Sequence, residues 1–376
     1  MSSDLPESDR LDGLPHPRET RLLFGHLKAK TDFAKAAKNK KIHHAWLLTG
    51  PKGIGKATLA WKMAGYLLSL PPKKSINSEL TPFTSFIMQS DDPLFKRILA
   101  LSEPKLQLIR KTWDPKTEKF RQSISIDDIR AIKQFFNLSS TDEGQRVVII
   151  DSADDLQNSS ANALLKILEE PPKRTTILMI SHNPTTLLPT IKSRCQKLNL
   201  QPLSTEDLKQ GLNQAIEIDN PISNDLYTLS GGSIGNAATL ISNDGTKIYS
   251  QICDIFSGVP NMSRVDILSI ISELTKSKSD DYFETLISML SIFIRRLATT
   301  GAGGLPKIEI GKNEFSILKK LSSNLYQARL WSEESQDIFK TALLSKNVNL
   351  EPSSIILNLF LSFNNIAIKA HRQEGL

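Results

Sequence analysis

Apolar and polar positions follow two different patterns along this chain, and the change of pattern divides it in two. In the first part, short apolar runs alternate with stretches of helical periodicity. Strands that alternate with helices predict a parallel α/β sheet, whose ligand crevice lies at the carboxyl ends of the strands. The predicted strands are Ala45–Thr49, Arg146–Ile150 and Thr176–Ser181, and the predicted helices are His26–Lys40, Leu59–Leu70, Asp127–Phe136 and Ser160–Glu170.

Strand signals stop near Pro202, and only helical patterns continue from there. Short helical patterns surround residues 230–233, and longer amphipathic patterns with few glycines fill residues 250–376. Four segments are therefore predicted along the chain. They are a flexible leader at 1–20, an α/β domain at 21–202 with an irregular insertion at 71–123, a small helical lid at 203–245 and an all-α domain at 246–376.

Length and cysteine content limit the class of protein. A chain of 376 residues is longer than one core usually organises. Its two cysteines, Cys195 and Cys253, are too few for a disulfide framework or a four-ligand zinc site, so we expect no zinc module and a reducing cytoplasm. The N-terminus lacks the pattern of a signal peptide, and secretion is not expected. The apolar stretches Leu286–Ile294 and Ile355–Phe363 are shorter than the roughly 20 residues of a membrane span and predict core helices.

The charge balance gives weak support for a polyanionic partner. The net charge is +7 and the pI is near 9.2, a small excess for so long a chain. Six lysines lie between Lys28 and Lys41. They predict either a solvated helix face, the usual role of a charge run, or contacts to DNA phosphates. Clustered aromatic residues for base stacking are not visible, and no set of carboxylates is placed for the two-metal chemistry of a polymerase.

A glycine-rich stretch follows the first predicted strand directly. Residues 50–56, Gly-Pro-Lys-Gly-Ile-Gly-Lys, match the first seven positions of a phosphate-binding P-loop. The strand before it and the helix after it supply the geometry for an anion at a helix N-terminus. The eighth position, which holds magnesium through a hydroxyl, is Ala57, and Thr58 is one residue too late, about 100° away around a helix. The loop predicts a nucleotide site that has degenerated, with no metal ligand.

The second predicted strand ends in the aspartate of a Walker B motif but lacks the glutamate that should follow. Asp151 is followed by Ser152, which cannot act as a base at neutral pH. Asp154 and Asp155 lie nearby, and an exposed cap is the favoured interpretation of both. The degenerate nucleotide site is thus predicted to comprise Gly50, Gly53, Gly55, Lys56, Thr58 and Asp151.

Three stretches of the chain resemble the clamp-loader subunits of the AAA+ class. They are His43–Ala60, Asp151–Pro172 and Leu187–Cys195. Residues 193–195, Ser-Arg-Cys, resemble the motif that bacterial clamp loaders share with replication factor C, and residues 161–172 resemble the helix before it. The resemblance implies an α/β AAA+ domain with a P-loop and parallel sheet, then a helical lid, then an all-α collar that oligomerises.

Departures from the family pattern favour the delta-prime type of DNA polymerase III subunit over the ATP-hydrolysing gamma or tau type. The P-loop and Walker B motifs are incomplete, and Gly235 stands where the lid of a gamma subunit carries an arginine. The zinc module common in these relatives is also missing. An active gamma- or tau-like motor remains the alternative, and an unrelated P-loop kinase or transport ATPase is a third.

For a delta-prime subunit, the resemblance implies a hetero-pentameric ring with gamma or tau and delta subunits, which loads the sliding beta clamp onto primed DNA in the cytoplasm, at the replisome. Arg194 would reach the ATP of a neighbouring subunit, while the chain itself would not be catalytic. No cofactor would be required, although ATP or ADP could serve as a structural ligand, and no membrane is implied. Without the resemblance, Arg194 reads as a surface or ion-paired residue, Cys195 as a small buried filler, and Lys166 with Glu169 as an exposed helical pair.

Overall fold

A computed structural model describes residues 6–39, 41–71, 82–87, 89–137, 144–216, 222–277, 280–348 and 350–372. The chain divides into two compact units. The first unit comprises Met1–Asp219 with Gly232–Gly235, and the second comprises Asn220–Gly231 with Asn236–Leu376.

The first unit is an α/β domain. Its elements, within the described residues, are α1 Leu27–Lys38, β1 Ala45–Thr49, α2 Lys56–Ser69, α3 Pro93–Leu99, β2 Leu106–Arg110, β3 Trp113–Asp114, β4 Lys119–Phe120, α4 Ile126–Asn137, β5 Arg146–Asp151, α5 Asn158–Glu169, β6 Thr175–Ser181, α6 Pro189–Ser193, β7 Gln196–Asn199 and α7 Thr205–Ala215. Short 3₁₀ turns cover Phe83–Ser85 and Ala153–Asp155.

Five of these strands form one parallel sheet in the order β2-β5-β6-β1-β7. Every residue of the two central strands β1 and β6 is buried, as expected when helices cover both faces of a parallel sheet. The register aligns Thr49 with Ser181 on one side and with Asn199 on the other. The carboxyl ends of the strands therefore meet at one edge, and the predicted parallel α/β fold is confirmed.

The sheet separates two apolar layers. Side chains that alternate along β1 point to opposite faces, so Trp46 and Leu48 join one core cluster while Ala45 and Leu47 join the other. Helices α1 and α2 fill the first layer, and α4 and α5 fill the second. This double covering holds the loops at the strand ends on a rigid support.

The segment 71–123, predicted to be irregular, contains regular structure. Helix α3 and the hairpin β3–β4 lie in it, and β2 is an edge strand of the main sheet that pairs with β5. An edge strand has one neighbour only, and four of the five β2 residues are half-buried. Polar residues are tolerated at that position, so the sequence Leu-Gln-Leu-Ile-Arg mixes apolar and polar residues and does not form a continuous apolar run. Residues 72–81 and 88 lie outside the described residues.

Residues 6–20 pack against the first unit, which differs from the prediction of a flexible leader. The side chain of His16 is fully buried, and its Nε2 lies 3.1 Å from the carboxylate of Asp9. Glu7 accepts hydrogen bonds from Arg18 and Arg110, each at 2.8 Å, and Asp9 also pairs with Arg110. The charged side chains of Glu7, Asp9 and Arg18 are thus paired with one another and with Arg110 at the end of β2.

All elements of regular structure in the described residues of the second unit are helices, which confirms the helical prediction for the C-terminal part. Its helices are α8 Asn224–Ser230, α9 Ile234–Ser242, α10 Gly245–Ser257, α11 Arg264–Ser277, α12 Asp280–Gly303, α13 Glu314–Leu321, α14 Leu325–Asn347 and α15 Pro352–Arg372, with the first two residues of α9 in the first unit. The division into a lid at 203–245 and a collar at 246–376 stays a prediction.

A buried carboxylate joins three helices of the second unit. Glu314 is fully buried at the start of α13. It accepts hydrogen bonds from the hydroxyl of Tyr249 at 2.5 Å and from the guanidinium of Arg296 at 2.6 and 2.9 Å. Because a buried charge is tolerated only when it is paired and hydrogen-bonded, this cluster fixes α10, α12 and α13 relative to one another.

Helix α15 has enough length and apolar character over Pro352–Ala370 to cross a membrane, judged on those two properties alone. That evidence is weak, since core helices meet the same criterion. The side chains of Ile356, Phe360 and Phe363 are buried in the second unit, as are Leu286 and Leu290 of α12. Both apolar stretches are thus core helices, as predicted.

Candidate nucleotide site and interface arginine

The loop between β1 and α2 has a backbone that only glycine accommodates easily. Gly50, Gly53 and Gly55 have φ angles of 143°, 75° and 102°. A β-carbon at Gly50 would lie 2.5 Å from the carbonyl oxygen of Leu200, and one at Gly53 would lie 2.5 Å from the hydroxyl of Ser233. The three glycines therefore give the compact loop that a P-loop sequence predicts.

Lys56 begins α2 and is bound by its own loop. Its side chain is buried, and Nζ donates hydrogen bonds to the carbonyl oxygens of Gly50, at 2.7 Å, and Pro51. Burial lowers the pKa of Lys56 to about 8, against the opposing effect of Asp151 and Asp154. A bound phosphate would have to compete with these carbonyls for the lysine.

The two residues after the lysine both line the cavity beside the loop. Ala57 and Thr58 are each half-buried there. Ala57 offers no oxygen to a magnesium ion, which is the role of a hydroxyl at that position of a P-loop. Among the described residues, no group of three or more His, Cys, Asp or Glu side chains is placed to hold a metal ion.

Asp151 ends β5 at the same edge of the sheet and also lines the cavity. Burial raises the pKa of Asp151 to about 7, and the nearby carboxylates of Asp9 and Asp155 add to the increase while Lys56 opposes it. Arg110, which pairs with Asp9, opposes the increase as well, so both a lysine and an arginine favour the ionised form of Asp151.

The carboxylates that follow β5 are occupied by structural hydrogen bonds. Asp155 accepts from the hydroxyl of Ser152 at 2.9 Å and pairs with Lys111 at 3.3 Å. Asp154 accepts from the hydroxyl of Ser181 at 2.7 Å and so joins β5 to the end of β6. Both aspartates are half-buried rather than exposed as predicted, because they satisfy donors of neighbouring strands. Neither stands free to activate water.

Sequence reasoning did not find Asp9 or His182, which contribute polar groups to the cavity. Asp9 comes from the leader and pairs with Arg110, from which it is separated by 101 residues. His182 follows β6, and burial, reinforced by Lys56, lowers its pKa to about 4, so the ring is neutral at pH 7. A local sequence pattern cannot show that Asp9 reaches the cavity. His182 could have been predicted, because it lies at the carboxyl end of a predicted strand.

The cavity has a volume of about 270 Å³, just below the roughly 300–1,000 Å³ typical of ligand pockets. Its walls are largely apolar and come from the loop, the leader and the start of α9. The apolar residues of the wall include Leu11, Leu14, Leu22, Leu23, Phe24, Ile54 and Ile234.

Gly235 packs directly on the P-loop. Its backbone nitrogen donates to the carbonyl oxygen of Gly53 at 3.0 Å. A β-carbon at Gly235 would lie 2.7 Å from the side chain of Leu11 and 3.0 Å from the α-carbon of Gly53. An arginine at this position would require the loop and the leader to move apart.

Arg194 follows α6 and does not line the cavity. Its Nη2 lies 2.8 Å from a carboxylate oxygen of Glu169, so Glu169 pairs with Arg194 instead of with Lys166 as predicted. Next to it, burial raises the pKa of the Cys195 thiol to about 12, and the thiol donates to the carbonyl of Ile191. Cys195 is half-buried, whereas a buried filler was predicted, and its raised pKa disfavours the reactive thiolate.

The structure brings most of the predicted site residues together and separates one of them. Gly53, Gly55, Lys56, Thr58 and Asp151 line one cavity, and Gly50 shapes it through its hydrogen bond to the lysine. Arg194 stands apart from this cavity, with 35% of its side chain exposed.

The lysines of α1 lie opposite its buried stripe. Ala29, Phe33 and Ala37 are buried, whereas the lysines at positions 28, 35, 38 and 41 are exposed. Lys30 differs, because it is half-buried and donates to the carbonyl of Leu23 at 3.3 Å. Lys40 lies outside the described residues. This arrangement agrees with a solvated helix face and also leaves four cations accessible to a polyanion.

Comparisons with known proteins find similarity to subunits of DNA polymerase III. Residues 25–204 match the family model described as DNA polymerase III, delta subunit. The chain is 32% identical over 227 residues to the DNA polymerase III subunit delta-prime of Pseudomonas aeruginosa, a match that covers 60% of this chain and 62% of that protein. The matched part thus spans less than two thirds of that relative's length.

Two further relatives represent different subunits. The delta-prime subunit of Escherichia coli is 23% identical over 77% of this chain and 79% of its own length. The gamma subunit of Buchnera aphidicola is 29% identical over 68% of this chain and 65% of its own length. Among solved structures, a gamma-subunit-related protein of Thermotoga maritima aligns with 89% of this chain and 100% of its own at 17% identity and a TM-score of 0.41.

Proposed function

We propose that this chain, which is similar to DNA polymerase III delta-prime subunits, is the stator of a clamp loader: a subunit that hydrolyses no ATP and supports hydrolysis by its neighbours. The observation that carries the proposal is the hydrogen bonding of Lys56. In a working P-loop the lysine neutralises bound phosphate, whereas here it donates hydrogen bonds to the carbonyl oxygens of Gly50 and Pro51.

Further features of the same cavity support a degenerate nucleotide site. Ala57 provides no magnesium ligand, and Ser152 takes the place of a base. Asp154 and Asp155 are bound to neighbouring donors. If ATP or ADP binds at all, it does so as a structural ligand held by Gly53, Gly55, Lys56 and Thr58, and its phosphates displace the loop carbonyls from Lys56.

Arg194 is the residue through which this chain would act on a neighbour's ATP. Its guanidinium is partly exposed and lies outside the chain's own cavity, as a group that works in trans requires. The guanidinium group of arginine is planar and permanently charged, and it stabilises the charge that develops on a transferred phosphoryl group. Arginine fingers contribute about 10³- to 10⁵-fold to the rate in GTPases, so this one contact would be the main chemical contribution of the chain.

The proposed partners are gamma or tau and delta subunits in a hetero-pentameric ring, the sliding beta clamp and primed DNA, in the cytoplasm. No membrane and no polymerase chemistry enter the proposal. The exposed face of α1, with Lys28, Lys35 and Lys38, is the candidate for contact with DNA phosphates.

The alternative function is that of an active motor subunit of the same loader. The similarity to a gamma subunit and the position of Thr58 in the cavity favour it. It requires Thr58 to replace the missing magnesium ligand and another carboxylate to replace the base.

Reconstitution distinguishes the two functions. The chain is mixed with gamma or tau and delta subunits from the same organism, and ATP hydrolysis and clamp loading on primed DNA are measured with and without it. The stator proposal expects no hydrolysis by the chain alone and loss of clamp loading when it is omitted. ATP hydrolysis by the purified chain at a rate comparable with gamma would support the motor and reject the stator.

A further inference from the structure

Glu169 and Arg194 form an ion pair at the surface of the first unit. Glu169 is the last residue of α5, and Arg194 directly follows α6. The carboxylate oxygen lies 2.8 Å from Nη2 of Arg194, and Nη1 of the same guanidinium donates to the carbonyl oxygen of Thr190 at 3.1 Å. Two guanidinium nitrogens are therefore already bound within the chain.

The position of Glu169 is unfavourable for the helix that carries it. The carboxyl end of an α-helix bears partial negative charge, so an acidic side chain in the last turn is destabilising there. Arg194 offsets that charge. Glu170 is the C-cap residue of the same helix and is exposed, and it forms no ion pair within the described part of the chain. The two adjacent glutamates thus share a location and a charge but differ in their contact with Arg194.

The ion pair is exposed and weak enough for another anion to replace Glu169 as the partner of Arg194. The exposed fractions of the Arg194 and Glu169 side chains are 35% and 49%. Exposed ion pairs are worth little because water and salt screen them. Carboxylate and phosphate oxygens both accept charge-assisted hydrogen bonds from arginine, so a phosphate of a neighbouring subunit competes with Glu169 for the same nitrogen.

We propose that Glu169 is a positioning residue that holds Arg194 in a resting orientation and releases it when the nucleotide of a neighbouring subunit arrives. This inference rests on the proposed trans-acting role of Arg194 and adds a regulatory contact to it. Since the pair is exposed, its removal changes the availability of the arginine by no more than about fivefold. The contact therefore tunes the response of the neighbouring site and does not block it.

The test is a double-mutant cycle in the reconstituted loader. ATP hydrolysis is measured with clamp and primed DNA for the wild type, Glu169→Gln, Arg194→Ala and the double variant, with Glu170→Gln as the control for charge. The rate lost in Arg194→Ala defines the part of the loader's total ATP hydrolysis that depends on this chain. Relative to that part, kcat/KM should rise two- to fivefold in Glu169→Gln and should not rise in the Arg194→Ala background. The ratio of the Glu169→Gln value to the wild-type value should approach one at high salt, because salt screens the ion pair of the wild type.

Each other outcome overturns the inference. If Glu169→Gln behaves like Glu170→Gln while Arg194→Ala lowers the rate, Glu169 does not hold Arg194 in a resting orientation, and the proposed function stands. If Glu169→Gln lowers kcat/KM, or if its effect persists without Arg194, the glutamate acts in another way. If Arg194→Ala hydrolyses ATP like the wild type, the trans-acting role of Arg194 fails and the inference about Glu169 fails with it. Thermal unfolding of Glu169→Gln, expected at or slightly above the wild-type temperature, shows that the variant is folded.

Discussion

The side-chain nitrogen of Lys56 lies 2.7 Å from the carbonyl oxygen of Gly50, so the lysine of the phosphate-binding loop is bound by the loop that carries it. This relationship links the sequence motif to the proposed loss of catalysis. The glycines have kept the shape of the loop, while its cation has become part of the local hydrogen bonding. A structural role and a catalytic role for Lys56 predict different results for the same substitution.

Lys56→Met should destabilise the chain and leave ATP hydrolysis by the assembled loader intact. Removal of the ammonium leaves two carbonyls without their donor, at a cost of about 1–3 kcal/mol in the free energy of unfolding. Lys52→Met is the matched control, because Lys52 is an exposed lysine of the same loop and its loss should cost less than about 0.5 kcal/mol. Urea unfolding and loader ATPase assays measure the two effects. Abolished hydrolysis with a stable fold would identify Lys56 as catalytic.

Asp151 should make the chain less stable as the pH rises from about 4 to 7. Burial raises the pKa of Asp151 to about 7, so over this range the folded state holds a proton that the unfolded state has lost. The favourable contribution is complete below the unfolded pKa and is lost as the pH passes 7. Asp151→Asn should therefore raise the melting temperature at pH 7.5 and flatten the pH dependence between 4 and 7. An unchanged profile would show that Asp151 ionises normally.

Lys56 should affect the stability at higher pH and with the opposite slope. Burial lowers the pKa of Lys56 to about 8, so between pH 8 and about 10.4 the unfolded state binds the proton that the folded state has lost. The free energy of unfolding should therefore rise through this range. Lys56→Met should remove that rise, as measured by chemical unfolding at several pH values, whereas Lys52→Met should retain it.

Arg110→Ala should detach the leader from the sheet. Arg110 pairs with Glu7 and with Asp9, whose side chain is only 1% exposed, so its loss leaves a buried carboxylate short of a partner. The expected destabilisation is about 3–5 kcal/mol. Arg130→Ala removes a well-exposed pair with Asp127 and should cost at most about 1 kcal/mol. Equal effects of the two substitutions, measured by thermal unfolding, would contradict the packing of the leader.

The sequence predicted those parts of the fold that depend on a local pattern. The buried strands β1, β5 and β6 are continuous apolar runs, and the glycine-rich loop has a fixed spacing, so both were visible without the structure. Strand β2 was not, because an edge strand tolerates polar residues on its open side.

The parts of the site that could not be predicted depend on contacts between distant residues. Asp9 reaches the cavity only because the leader folds back over the sheet to Arg110. Helical spacing alone predicted that Glu169 pairs with Lys166, whereas the packing of α6 beside α5 brings Glu169 to Arg194. The hydrogen bonds of Lys56 likewise depend on the backbone conformation of the loop and not on the motif.

The trans-acting role of Arg194 is tested by ATP hydrolysis, stimulated by clamp and primed DNA, in a loader reconstituted with Arg194→Ala. Arg130→Ala is the control for loss of a surface arginine. Assembly is checked by size-exclusion chromatography. We expect the Arg194→Ala loader to lose the part of the hydrolysis rate that one active site contributes. The Arg130→Ala loader should hydrolyse ATP at the full wild-type rate. A full rate from an intact Arg194→Ala loader would contradict the trans-acting role and leave this chain a purely structural member of the ring.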